Sequence, residues 1–236
     1  GQPETPLAGV FCWKTEAVQP LFLVNTNAYE VRVPGRMAPR SVAVHPTPTR
    51  GVAVAWRSPI DGEVELRGMV RDVHDGGNGI EWALERSRGV DVATLQSGAI
   101  GRGGVAAIGE DLTPLAVRVG DRIRLVINAK ANNHVCDLTR LDLEIKEIVG
   151  ARRVWRLGPD VVDDPGMGNP HADGHGHPAV WQFLHMARRT TVQRPAFRAL
   201  EPWFAAVAKL NAQQVRDAAA AIQAKLLKRA ADDGAT

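Results

Sequence analysis

Long hydrophobic runs are missing from this 236-residue chain, and no window approaches the roughly 18 consecutive apolar residues that span a bilayer, which excludes a helical membrane-spanning protein. Cysteine is scarce. Only Cys12 and Cys136 occur, without any C-x-x-C or C-x-x-C-H, so a c-type haem or a cysteine-rich zinc site within the chain is excluded. The two thiols either pair in an oxidising compartment, tying the N-terminal region to the rest, or stay separate and buried; both readings stand at this point. Catalytic signatures are missing too: there is no G-x-S-x-G elbow, no glycine-rich phosphate loop and no H-E-x-x-H. The opening Gly1-Gln2-Pro3-Glu4-Thr5-Pro6 has neither a basic start nor an apolar stretch, so no signal peptide is expected in the chain, whether removed or never part of this piece. No repeat of fixed period and no low-complexity tract is found.

A dense single-sign charge is also lacking. Residues 1–150 hold 17 basic and 18 acidic side chains, while residues 151–236 hold 12 and 8, so the overall +3 comes from the last third. The arginines are scattered rather than striped between aromatics, and nucleic acid is therefore not an expected partner.

What is present is material for a β protein. Hydrophobic residues make up 44%, enough for a core, and 23 glycines with 15 prolines suit a chain of many turns. The length allows one large or two small domains. The pattern divides the chain into an N-terminal arm (1–20), a β-sandwich domain (21–150), an irregular segment rich in His, Gly and Asp (151–200), and C-terminal helices (201–232). Within the second part, Val64, Leu66, Gly68 and Val70 alternate with Glu63, Glu65 and Arg67, the signature of a half-buried antiparallel strand. Similar alternation occurs at Glu30–Val33, Val52–Arg57, Ile80–Leu84, Ile123–Ile127 and Leu141–Ile145. At least seven such strands separated by Gly, Pro, Asp and Asn turns predict a mainly β fold, an antiparallel β-sandwich of jelly-roll-like type with a C-terminal helical extension. In that extension Val215, Ala219, Ile222 and Leu226 form one apolar stripe opposite Arg216, Lys225 and Lys228.

Three groups of residues have chemistry to offer. His171-Ala172-Asp173-Gly174-His175-Gly176-His177 gathers three imidazoles and a carboxylate, a donor set suited to zinc. His175-x-His177 is similar to the first metal motif of cupins, although the glutamate that follows it there is replaced by Ala179–Gln182; an ordered polar loop with its histidines bonded to backbone is the alternative. The turn Asp72-Val73-His74-Asp75-Gly76-Gly77-Asn78-Gly79 offers Asp72, Asp75 and Asn78 as oxygen donors, which makes calcium the cofactor to test, although ordinary tight turns use the same residues. A second polar turn, Asn128–His134, offers Asn132 and His134 to a ligand.

A sugar-stacking surface needs exposed aromatic rings. Parity places Trp56 and Trp82 in the core, which leaves Trp13, Tyr29, Trp155 and Trp181, all near loops or termini, as candidate ligand contacts.

Several stretches resemble one family. Glu30-Val31-Arg32-Val33-Pro34-Gly35-Arg36-Met37, Val44-His45-Pro46, Ala55–Gly62, Asn78–Trp82, Val119-Gly120-Asp121, Asn133–Thr139, Leu141-Asp142-Leu143 and Gly168–Asp173 are similar to the accessory β-domain of large planctomycetal surface proteins. Those proteins carry a planctomycete-type cytochrome C domain and planctomycete-specific domains of unknown function. The resemblance spans about residues 20–210. It implies an extracytoplasmic protein whose sandwich looks like a carbohydrate-binding module, with neighbouring domains of a larger protein as partners. The haem-binding and planctomycete-specific domains are absent from the chain, so electron transfer is not carried over.

Three functional expectations follow. The first is a non-catalytic glycan-binding or interaction module, with a polysaccharide partner contacted through the turns 72–79 and 128–137. The second is a structural module that positions its neighbours. The third is a metal-dependent, cupin-like enzyme using the His171–His177 cluster.

Overall fold

The alternation at Val64, Leu66 and Val70 turns these side chains into an interior that they share with Leu125 and Leu143. Trp56, Ile80, Leu84, Ile123 and Ile127 complete the same cluster, all with no more than a trace of exposed surface. Apolar burial of this kind is the main force holding two stacked sheets together, at about 25 cal/mol per Å².

The computed structural model describes residues 3–14 and 19–187. The strands are β1 (Glu4–Leu7), β2 (Val10–Lys14), β3 (Leu21–Asn25), β4 (Val31–Val33), β5 (Gly35–Met37), β6 (Ser41–His45), β7 (Arg50–Arg57) and β8 (Gly62–Asp72). They continue as β9 (Ile80–Arg88), β10 (Asp91–Ile100), β11 (Val105–Ile108), β12 (Leu115–Val117), β13 (Arg122–Ala129), β14 (Thr139–Glu147), β15 (Val154–Arg156) and, after the short helix α1 (Leu157–Val162), β16 (Trp181–Ala187). The larger sheet runs β1-β2-β3-β6-β14-β8-β11, with β12 also on β8 and β15 on β14. The second runs β10-β9-β13-β7-β16, and β4-β5 is a small separate hairpin. Strand pairings are antiparallel throughout the described residues. The protein is a mostly β, antiparallel sandwich. Among the described residues no helix is long and apolar enough to cross a membrane.

Two boundaries differ from expectation. The N-terminal region is not an arm: β2 pairs along β3 from Val10↔Asn25 to Lys14↔Leu21. A five-residue strand is too short to display periodicity in the sequence, but Trp13 stacks into the core, its ring 5.4 Å from Phe22 and 4.9 Å from Phe183. The stretch after 150 is also more regular than its composition suggests. There, β16 pairs with β7 from Trp181↔Trp56 to Ala187↔Arg50 and completes the second sheet. The expected helices at 201–232 lie outside the described residues.

Candidate functional site

At one end of the sandwich, β8 and β14 run side by side with Asp72 opposite Thr139. Strand parity puts Asp72 on the face of Val70 and Thr139 on that of Leu141, so both polar side chains follow the apolar interior to its end, and Asp137, which precedes the strand, is fully buried too. Val73 N–H donates to the Leu138 carbonyl at 2.9 Å and continues the pairing past the strand. Asp72 Oδ1 then accepts the His74 N–H at 3.1 Å, and its Oδ2 accepts the Gly103 N–H at 3.0 Å. This is an Asx-type turn, for which aspartate is a preferred residue. Gly77 and Gly79 have φ of 83° and 86°, and a Cβ on either would run into backbone carbonyls, of Val135 and Ile100 respectively. The turn 72–79 is therefore pressed against the segment 130–137. Asn78 Nδ2 bridges the two, donating to the Lys130 carbonyl at 3.0 Å. The two polar turns picked out in the sequence do meet.

Their interior carries unusual electrostatics. Asp137 has no exposed surface, and neither carboxylate oxygen has a hydrogen-bond partner. Burial, with the neighbouring Asp72 charge adding to it, pushes its carboxyl up to about 7. Burial also raises Asp72, against the opposing backbone N–H bonds from His74 and Gly103 and the charge of His74. The Asn78 Oδ1 atom is likewise buried without a partner. His45 packs beside these turns with its ring 6.0 Å from that of His134, and its Nδ1 lies 2.9 Å from the Pro46 carbonyl. Burial lowers the His45 imidazole, against the bond to Pro46 and together with the charges of His134 and His74. Asn132 and half-buried His134 stand at the solvent edge of the same end.

Asp75 does not join this group. It is 67% exposed and turned outward, 3.1 Å from Arg32 and 3.8 Å from Arg36. The inward position belongs to Asp137, which the turn composition did not single out. Asp137 precedes β14 in the loop, so strand periodicity did not mark it as inward.

The histidine segment is organised around backbone and aspartate. His171 is buried with Nδ1 2.7 Å from the Ala172 carbonyl and Nε2 2.7 Å from that of Asp164. His175 Nε2 donates to the Val154 carbonyl at 3.0 Å. Asp173 accepts from Trp155 Nε1 (2.6 Å), His177 N (2.7 Å), His175 N (3.0 Å) and His177 Nδ1 (2.7 Å). Burial alone would raise Asp173, but these bonds outweigh it and hold the carboxyl below its ordinary value. The remaining His177 nitrogen, Nε2, faces Arg153 at 3.4 Å. Zinc needs imidazole lone pairs directed at one point, whereas these nitrogens point at carbonyls, a carboxylate and a guanidinium. Among the described residues no three His, Cys, Asp or Glu side chains gather into a metal-holding group.

The proposed aromatic contacts are mostly internal. Trp155 and Trp181 have no exposed surface; Trp181 Nε1 donates to Asp160 Oδ2 at 2.8 Å, and the Trp155 ring lies 5.0 Å from that of Trp56. A stacking role for these two is therefore corrected to a core role, because both rings are fully buried and each indole N–H finds a carboxylate, buried Asp173 for Trp155 and half-buried Asp160 for Trp181. Trp13 borders a cavity of about 250 Å³ whose other lining includes Glu4, Lys14, Asn169 and His185. Among the described Trp, Tyr and Phe residues, only Tyr29 is largely exposed, at 62%. Both thiols are free, with Cys12 buried and its pKa pushed up by that burial to about 11. Comparison with protein-family models, with curated proteins and with solved structures returns no match.

Proposed function

We propose that the chain is a non-catalytic recognition module of an extracytoplasmic protein, a jelly-roll-type sandwich that receives a glycan at the end formed by turns 72–79 and 128–137. One observation carries this reading: two polar turns, distant in sequence, are locked together by Asn78 and Lys130, with Asn132 and His134 at the rim. Loops fixed on a rigid sheet are the usual place for binding side chains. With Trp155 and Trp181 internal, recognition here works through hydrogen bonds to hydroxyl groups instead of ring stacking. The jelly-roll assignment is supported by the way β7, β8, β9, β11, β13, β14 and β16 pass alternately between the two sheets. The resemblance to planctomycetal surface-protein domains supports the extracytoplasmic setting and neighbouring domains as further partners.

A glycan array probed with the full chain tests the proposal. Binding that is lost in Asn132→Ala and His134→Ala, with Tyr29→Ala unaffected, is the expected result. A second reading, a structural module that positions its neighbours, is favoured by the internal use of Trp155, Trp181 and the histidine segment. An array with no binding at all leaves that reading in place of the first.

A further inference from the structure

An ionised carboxylate taken out of water without a partner costs several kcal/mol, so an unpartnered buried one is stable only when protonated or matched by a positive charge. Asp137 is such a group, with no exposed surface and both oxygens free of hydrogen bonds. Among the described residues no cation bonds to it. Arg140, three residues on, pairs with Asp142 at 3.1 Å. His74 directs Nδ1 to the Gly76 N–H at 3.2 Å.

The two turns that meet here carry further oxygens. Each Asp72 oxygen accepts one backbone N–H, which leaves each with a further lone pair. Asn78 is held by its nitrogen on the Lys130 carbonyl, so that its buried, unpartnered oxygen is fixed in place. We propose that the interior of this loop end is a calcium site, with the carboxylates of Asp72 and Asp137 and the amide oxygen of Asn78 as its protein ligands. An oxygen set selects a hard cation over zinc, and irregular loop backbone suits the adaptable shell of Ca²⁺ better than the strict octahedron of Mg²⁺. Two carboxylates and one amide are a modest charge count, which sets the expected dissociation constant on the order of 10⁻⁴ M, in the range of extracellular modules. The site differs from a simple acidic turn in that Asp75, the most obvious acid of the loop, takes no part. The proposal stands independently of what the rim residues bind.

Isothermal titration of the full, chelator-treated chain with CaCl₂ alone tests it. One equivalent should bind, with affinity reduced more than tenfold in Asp137→Asn and unchanged in Asp75→Asn. At a calcium concentration one hundred times the dissociation constant, Tm should rise by about 5–10 °C. Should Asp137→Asn fail to fold, as judged by near-ultraviolet circular dichroism, Asp72→Asn replaces it with the same expected loss. Absence of both heat and thermal shift at millimolar calcium overturns the proposal. So does undiminished binding in a folded Asp137→Asn or Asp72→Asn protein, or loss of binding in Asp75→Asn.

Discussion

Replacing Asp137 by asparagine should change how stability depends on pH more than it changes stability itself. The side chain has no exposed surface and no hydrogen-bond partner, and its carboxyl is raised from 3.8 to about 7 by burial and by the Asp72 charge. A carboxyl raised in the folded state holds its proton after the unfolded chain has released one. Its contribution is therefore undiminished below the unfolded value, falls as pH climbs from about 4 to about 7, and stays low above that. A shift of about three pKa units corresponds to about 4 kcal/mol at the upper end. Asparagine keeps the shape and does not titrate, so the variant should lack this decline. In the presence of chelator, Asp137→Asn and the parent chain should differ by about 1 kcal/mol or less at pH 4.5, with the variant about 3 kcal/mol more stable at pH 8. Guanidinium denaturation followed by tryptophan fluorescence at several pH values measures both. Asp72, raised by burial, has the same sign of dependence, whereas His45, lowered by burial, has the opposite one; the difference between parent and variant isolates Asp137. Parallel pH profiles, or a variant less stable than the parent at pH 8, would refute the reasoning.

Other consequences can be checked on the same protein. Asp173→Asn removes the charge that accepts four hydrogen bonds, including those of Trp155 and His177, and should cost about 2–4 kcal/mol at neutral pH in denaturant titrations. Because the Asp173 carboxyl is lowered in the fold, that stabilisation is present above its unfolded pKa and is lost as pH falls through the folded value, so parent and variant should converge in acid. Gly79→Ala meets both a φ of 86° and the Ile100 carbonyl, and should lower stability by more than about 1 kcal/mol; a neutral result would contradict the packing of the turn.

Much of the sandwich was legible because period-two alternation records which side of a strand is dry. Val64, Leu66, Leu125 and Leu143 announce the core directly, and Trp56 and Trp82 are buried where parity puts them. Short or interrupted strands were not legible. Residues Val10–Lys14 offer too few positions to define a period, and the glycines and histidines before Trp181 obscure a strand that starts immediately after them. The two turns could be identified from composition, since Asp, Asn and Gly mark a chain reversal. Composition does not say which side chain of a turn points inward, and so Asp75 was preferred to Asp137. Only the burial of Asp137 in the loop before β14 makes that choice. The histidine cluster left two readings open in the sequence, a metal donor set and a polar loop bonded to backbone; its nitrogens are directed at local carbonyls and Asp173, contacts that depend on loop conformation.

Calcium titration of the isotopically labelled full chain, followed by amide chemical shifts, puts the arrangement of the loop end to its most direct test. Saturable, concerted shifts confined to residues 72–79, 103–104 and 130–138, with 171–177 unmoved, are what the geometry predicts. Shifts centred on the histidine segment, or none at millimolar calcium, would contradict it.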